Sequence, residues 1–87
     1  MIEREYHTYL KLERGLSDNS VLAYELDFKR LQTYMEEHHI DVVHATFDDL
    51  QAFVFETFKQ IKSAKTQARL LSSIHSFYRF LLYHHYI

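Results

Sequence analysis

Residues 63–82 read SAKTQARLLSSIHSFYRFLL, and this stretch decides the fold. Its large apolar residues recur every three or four positions, the spacing that places side chains on one face of an α-helix. They form one stripe: Leu70, Ile74, Phe77, Tyr78 and Leu81. The stretch therefore predicts one long helix whose apolar side faces a core.

A second stripe on the same helix is polar and contains no carboxylate. Its members are cations and hydroxyls: Lys62, Lys65, Thr66, Arg69, Ser73 and Ser76. Cations neutralise phosphates, and small hydroxyl side chains can approach base edges. We interpret this stripe as the working face of the protein and the rest of the chain as its support.

The composition indicates a single helical domain. The chain has 87 residues, of which 47% are hydrophobic, so it can form one core and has no room for a second. One glycine and no proline leave few turn signals, and no segment alternates with the period of two that strands require. We expect an all-α fold of four helices.

Several functional classes are excluded by what the sequence lacks. Without cysteine there are no disulfides or thiolate sites, and the histidines show no H-x-x-x-H pair, so we expect no metal and no cofactor. No glycine-rich phosphate loop occurs, and Ser72 and Ser73 have no recognisable base nearby, so catalysis by this domain is not expected. The longest apolar runs are four residues, which predicts no membrane contact and a cytoplasmic location.

The charges are unevenly distributed along the chain. Residues 1–56 contain all twelve carboxylates and five of the ten Lys and Arg, whereas residues 57–87 contain the other five cations and no carboxylate. The net charge of −2 alone argues against nucleic acid. Its distribution nevertheless favours an anionic partner for the C-terminal third.

Local signals place three helices before the long one. The first is expected over residues 2–14, with Gly15 suited to the left-handed position that follows a helix. The second begins within residues 17–20, the segment SDNS, whose side-chain oxygens can cap free amides, and it runs to about residue 37.

Residues 38–46 are expected to form an ordered connector with its apolar side chains against the bundle. Thr46 and Asp49 resemble a capping box that opens the third helix, and Ser63 is expected to cap the fourth. Five side chains of the third helix are expected to line the core: Phe47, Leu50, Val54, Phe58 and Ile61.

Four motifs taken in order resemble a known family. They are Ser17-x-x-Ser20-x-x-x-Tyr24-x-x-Asp27-Phe28, Asp48-Asp49-Leu50, Ala68-Arg69-Leu70-Leu71-Ser72 and Phe77-Tyr78-x-Phe80-Leu81. Together they resemble the N-terminal core-binding, SAM-like domain of tyrosine recombinases, which occurs in Xer-type recombinases and in phage and transposon integrases. The resemblance covers nearly all of the 87 residues.

The resemblance implies that residues 1–87 form a four-helix orthogonal bundle, one arm of a clamp around double-stranded DNA. Helices two and four would cross the major groove. The catalytic domain would be absent from this chain, so Tyr83 and Tyr86 are not expected to be the nucleophile. Other recombinase protomers would be partners of the full-length protein, and the isolated domain is expected to be monomeric.

Carried over by position, the resemblance assigns phosphate-facing groups to the start of the second helix: Ser17, Asn19, Ser20 and Tyr24. In the fourth helix it assigns groove or backbone contacts to Lys65, Thr66 and Arg69. Tyr24 also belongs to the apolar series of its helix, so we expect its ring inside and only its hydroxyl outside.

Three alternatives to this interpretation exist. A helical protein-interaction module would dock a partner through the aromatic C-terminal helix, so Phe80→Ala or Tyr83→Ala would abolish function and Arg69→Glu would not. The same aromatic residues could form a stacking platform for single-stranded bases, but their spacing favours packing in the core.

A helix-turn-helix repressor would need a tight turn, and the nine-residue connector before the third helix argues against one.

Overall fold

The computed structural model describes residues 2–87 as helices joined by short connections. Helix α1 spans Ile2–Thr8 and continues into a π-helical turn, Tyr9–Glu13. Helix α2 spans Asp18–Glu37 and is followed by a 3₁₀ turn, Val42–His44. Helices α3 and α4 span Phe47–Gln60 and Ala64–Tyr83. Residues 2–87 contain no strand, which confirms the predicted all-α fold of four helices.

The first helix is not uniform over residues 2–14 as predicted. It changes to π-helical hydrogen bonding at Tyr9, and the Arg14 N–H bonds the Tyr9 carbonyl five residues back at 2.9 Å. A π-helical turn shifts the side chains that follow relative to a regular helix. Tyr6, Tyr9 and Leu10, which have the i, i+3, i+4 spacing of one helix face, are all buried.

The helix starts follow the local chemistry of the sequence. Ser17 caps α2 by accepting a hydrogen bond from the Ser20 N–H at 3.3 Å, and Ser63 caps α4 in the same way. Thr46 and Asp49 form the predicted capping box at α3, with hydrogen bonds of 3.2 and 2.8 Å. These bonds satisfy amides that a helix leaves free at its first turn.

The first, second and fourth helices are followed by left-handed residues. Gly15 has φ +63°, which confirms the predicted helix stop. Helices α2 and α4 are instead followed by histidines in the same conformation, His39 at φ 58° and His85 at φ 62°. The next N–H in each case bonds the carbonyl five residues back, at 2.8 and 2.9 Å.

The core lies where α4 packs against α1 and α2. Phe77 of α4 lies at its centre, with its ring 4.6 Å from that of Phe28 and 5.3 Å from that of Tyr6. The fully buried apolar side chains come from every long helix: Tyr6, Tyr9, Leu10, Val21, Phe28, Leu31, Met35, Phe53, Leu70, Phe77, Phe80 and Leu81. The connector contributes its valines and Ile40 from the side, as predicted.

Helix α3 faces the core with a different stripe from the predicted one. Phe53, which lies outside that stripe, is 1% exposed, whereas Phe47, its first member, is 71% exposed. The other four are only half-buried at the margin of the core: Leu50, Val54, Phe58 and Ile61. The physical reason is that α3 carries large apolar side chains on most of its circumference, so spacing alone does not select the buried face.

Candidate nucleic-acid interface

A buried carboxylate joins α2 to α4. Asp27 of α2 is 1% exposed, and its two oxygens accept hydrogen bonds from Arg69 Nε and Nη2, each at 2.9 Å. Ser73 donates to the same carboxylate at 2.7 Å, and Arg30 Nη1 lies 3.5 Å from it. Hydrogen bonding to Asp27 raises the pKa of the Arg69 guanidinium, which therefore remains charged. Two parallel bonds to one carboxylate fix both the distance and the angle between the helices.

Asp27 belongs to the first family motif but is not among the site residues that the sequence predicts. The sequence does indicate that Asp27 is buried, because it lies three positions after Tyr24 and four before Leu31, within the apolar series of α2. A carboxylate in that series must be paired when it is buried. Its partner is forty-two positions away, so only the structure identifies Arg69.

Ser73 and Ser76 do not form part of an exposed stripe. Each is 3% exposed, and their hydroxyls bond protein groups, Ser73 to Asp27 and Ser76 to Arg14 Nη1 at 3.0 Å. This corrects the expectation that these small side chains are left free to approach bases. They lie on the side of α4 that packs against α2, where hydroxyls can satisfy buried charged partners.

The start of α4 is the exposed cationic part of the predicted stripe. Lys62 and Lys65 are exposed, and neither forms an ion pair with any of residues 2–87. Thr66 is half-buried in the first turn, and Arg69 retains 31% exposure of its side chain beside Asp27. Three of the six predicted residues are thus cations with access to solvent.

The start of α2 carries the other set of predicted DNA-binding residues, the phosphate-facing ones. Ser17 and Asn19 are exposed and Ser20 is half-buried, while the Ser17 oxygen is already engaged as the helix cap. Asp18 lies among them and pairs with Lys11, whose hydrogen bond lowers the pKa of that carboxyl. The pairing offsets a negative charge that would otherwise repel an anion at this helix terminus.

The aromatic residues are mostly structural. The Tyr24 side chain is half-buried and packs against the core, and the exposure of its hydroxyl alone stays a prediction. Phe80 is fully buried, so Phe80→Ala would test folding and not docking. Tyr83 is 61% exposed and lies in the last turn of α4.

Among residues 2–87, no three His, Asp or Glu side chains are grouped in a way that could hold a metal ion. Several histidines instead pair singly with carboxylates, such as His7 with Glu25 and His84 with Glu13, each at 3.0 Å. None of the described helices combines the length and apolar character needed to cross a membrane.

The chain belongs to the family described as "Phage integrase, N-terminal SAM-like domain", whose model matches residues 4–85. This match confirms the family and the SAM-like fold that the four motifs predicted. The chain is similar to the tyrosine recombinase XerD of Staphylococcus aureus strain Mu50, with 40% identity over 84 residues. It is 39% identical to the XerD of Staphylococcus haemolyticus over the same length.

Each alignment covers 93% of this chain and 28% of the relative, so the chain spans little more than a quarter of the length of these recombinases. No solved structure matches the chain.

Proposed function

We propose that this chain is a DNA-binding domain of a tyrosine recombinase or integrase. It holds duplex DNA against the side of the bundle where α2 and α4 meet, in DNA recombination or integration. The family match and the printed name of the relatives support this general role. The catalytic residues of such a protein lie outside residues 1–87, so this chain binds DNA without cutting it.

The observation that carries the proposal is the pair of free cations at the start of α4. Lys62 and Lys65 are exposed in a segment, residues 57–87, that contains no carboxylate. Because phosphate contacts supply most of the non-specific affinity for DNA, such cations are the principal binding groups. Thr66 and the exposed edge of Arg69 extend the same surface toward α2.

The two helix starts lie on opposite sides of the Asp27–Arg69 pair. Ser17 precedes Asp27 by ten positions, which corresponds to about 15 Å along α2. Arg14, next to that start, reaches Ser76, whereas Lys65 lies beyond Arg69 in the other direction along α4. Lys65 precedes Arg69 by four positions, about 6 Å along α4, so the two starts are roughly 21 Å apart along the helices and suit phosphates on separate stretches of the duplex.

The test is fluorescence anisotropy of a labelled duplex of about 30 base pairs at roughly 50 and 200 mM salt. If about four to six phosphates are neutralised, log K falls with log salt at a slope of roughly −4 to −5. The isolated domain is expected to bind with Kd on the order of 10⁻⁴ to 10⁻⁶ M at physiological salt, the range of non-specific contacts.

The variants Lys62→Glu and Lys65→Glu are expected to weaken binding and to reduce the salt slope. The matched control is Lys29→Glu, the same charge change at an exposed site two positions after Asp27 and so on nearly the opposite side of α2. Arg69→Glu is unsuitable because it would place a second carboxylate against buried Asp27. The proposed DNA face would be contradicted if Lys29→Glu and Lys65→Glu reduced the affinity for the duplex equally. It would also be contradicted if the folded protein did not bind the duplex at low salt.

A further inference from the structure

Two arginines that are not among the DNA-binding residues predicted from the sequence lie at the seam where α2 packs against α4. Arg14 donates from Nη1 to Ser76 of α4 at 3.0 Å. Arg30 lies beside Asp27, the carboxylate that Arg69 binds. Ser76 follows Arg69 by seven positions, so the two arginines approach α4 at points about 10 Å apart along its axis. The seam therefore carries cations from outside α4 as well as those of α4 itself.

Arg30 is a cation whose neighbouring carboxylate is already occupied. Asp27 accepts two hydrogen bonds from Arg69 and one from Ser73. Arg30 Nη1 lies 3.5 Å from the same carboxylate, which is longer than a normal hydrogen bond, and it makes no hydrogen bond within residues 2–87. Two guanidiniums around one carboxylate leave one positive charge unbalanced. Because the Arg30 side chain is 37% exposed, donors of its guanidinium remain available at the surface.

Arg14 is a cation that forms no ion pair in the described part of the chain, residues 2–87. It is exposed, and its one side-chain hydrogen bond is to a neutral serine hydroxyl of α4. Two carboxylates close to it in the sequence have other partners, since Asp18 pairs with Lys11 and Glu13 lies 3.0 Å from His84. The buried serine thus holds the Arg14 guanidinium at the seam without neutralising it.

Each arginine lies at one end of the proposed DNA face. Arg14 is three positions before Ser17, the cap of α2. Arg30 follows Asn19 by eleven positions, about three turns, so both lie on the same side of α2, roughly 16 Å apart. Later residues of α2 meet earlier residues of α4, so the two helices run in opposite directions. Arg30 therefore lies toward the end of the seam where Lys65 begins the exposed cations of α4.

The guanidinium is a planar fork of donors that binds phosphate oxygens in pairs. We propose that Arg14 and Arg30 are phosphate ligands of duplex DNA, one at each end of the seam. This inference rests on the proposed function and adds to it two residues outside α4. Together with Lys62 and Lys65 they supply four phosphate contacts, the number for which log K falls with log salt at a slope of roughly −4.

The test is the anisotropy titration of a duplex of about 30 base pairs at roughly 50 and 200 mM salt, with Arg14→Gln and Arg30→Gln. Each variant loses one charge, so the salt slope should become shallower by about one. The loss of affinity should then be about threefold greater at roughly 50 mM than at 200 mM salt. The matched control is Lys29→Gln, which removes one charge from an exposed site next to Arg30 in the sequence and should leave the slope unchanged.

Conservative variants separate the loss of charge from a change of packing. Arg14→Lys and Arg30→Lys retain the charge and should retain most of the salt slope, although a lysine cannot bind a phosphate through two parallel bonds. Circular dichroism of each variant shows whether the helices are intact. Two duplexes of unrelated sequence should lose affinity equally, because phosphate contacts carry no sequence information.

A salt slope that Arg14→Gln or Arg30→Gln leaves unchanged overturns the assignment of that arginine. A slope that Lys29→Gln lowers equally also overturns the proposal, because the effect would then follow the net charge of the domain. In both cases the proposed function stands if the wild type binds and Lys65→Glu weakens binding. A folded wild type that does not bind the duplex at low salt overturns both the proposed function and this inference.

Discussion

Arg69 differs from the other cations of α4 because it has a buried partner. Its guanidinium makes two hydrogen bonds to Asp27, and lysine could not reproduce both in one plane. Lys65 has no such partner among residues 2–87. Residues that the sequence places in one stripe thus divide into a structural group and a free group.

We expect Arg69→Met to destabilise the protein by about 2–4 kcal/mol, because it leaves a buried carboxylate without its main charged partner. Lys65→Met should change the free energy of unfolding by less than about 0.5 kcal/mol. Urea denaturation followed by circular dichroism measures both. Asp27→Leu combined with Arg69→Met should recover part of the loss, since a buried ion pair can be replaced by apolar groups. Equal effects of Arg69→Met and Lys65→Met would contradict the structural role of the pair.

Among the elements, the stop of the first helix depends on a single residue. Gly15 has φ +63°, and a Cβ built there would meet no atom within 4 Å. We expect Gly15→Ala to lower the free energy of unfolding by about 1 kcal/mol through backbone strain alone. Gly15→Asn should lower it less, because asparagine tolerates the left-handed region. Thermal unfolding of the two variants gives the comparison, and a larger loss for asparagine would indicate a steric cause instead.

Helix boundaries were predictable from sequence because caps are local. Ser17, Thr46 and Ser63 bond amides three positions further along the chain, so each start could be identified without the rest of the fold. The buried face of α3 was not predictable in this way. Four phenylalanines lie within residues 47–58, and the choice of Phe53 over Phe47 depends on neighbours from other helices.

The candidate site was predictable only in part, for a related reason. Exposed Lys62 and Lys65 follow from the charge distribution, which is a property of the sequence itself. The burial of Ser73 and Ser76 depends on Asp27 and Arg14, which are 46 and 62 positions away. A polar stripe on a helix therefore predicts hydrogen bonding, but not whether the partner is DNA or another helix.

For the whole molecule, one buried phenol and one half-buried phenol contribute to the response of stability to alkaline pH. Burial raises the pKa of Tyr6 to about 12 and that of Tyr78 to about 12, from a value of 10.0. In the unfolded chain these groups ionise near pH 10, so the unfolded state loses protons that the folded state retains. The free energy of unfolding should be unaffected by these groups below about pH 10 and should fall between about pH 10 and 12.

Denaturant titrations at about pH 9 and about pH 11 measure this fall, and Tyr6→Phe and Tyr78→Phe should each reduce it. The two variants should differ in their free energy of unfolding near neutral pH. Tyr78 donates a hydrogen bond of 2.6 Å to the Val42 carbonyl, and its loss should cost about 0.5–1.5 kcal/mol. The Tyr6 hydroxyl lies near Ser76 without a well-formed hydrogen bond among residues 2–87, so its removal should cost less. If the free energy of unfolding fell by the same amount in both variants as in the wild type, groups other than Tyr6 and Tyr78 would be responsible for the fall.

The contacts of the last described residues with the first helix have a consequence for chain topology. The Tyr86 hydroxyl donates to Glu5, and His84 Nε2 lies 3.0 Å from Glu13, so residues 5–86 form a nearly closed ring. A short peptide could join the two ends without moving a helix, and a new opening between Ile40 and exposed Asp41 would leave all four helices and the end of α2 intact. In a circular permutant of this kind, α3 and α4 would precede α1 and α2 in the sequence while every packing contact described above remained the same.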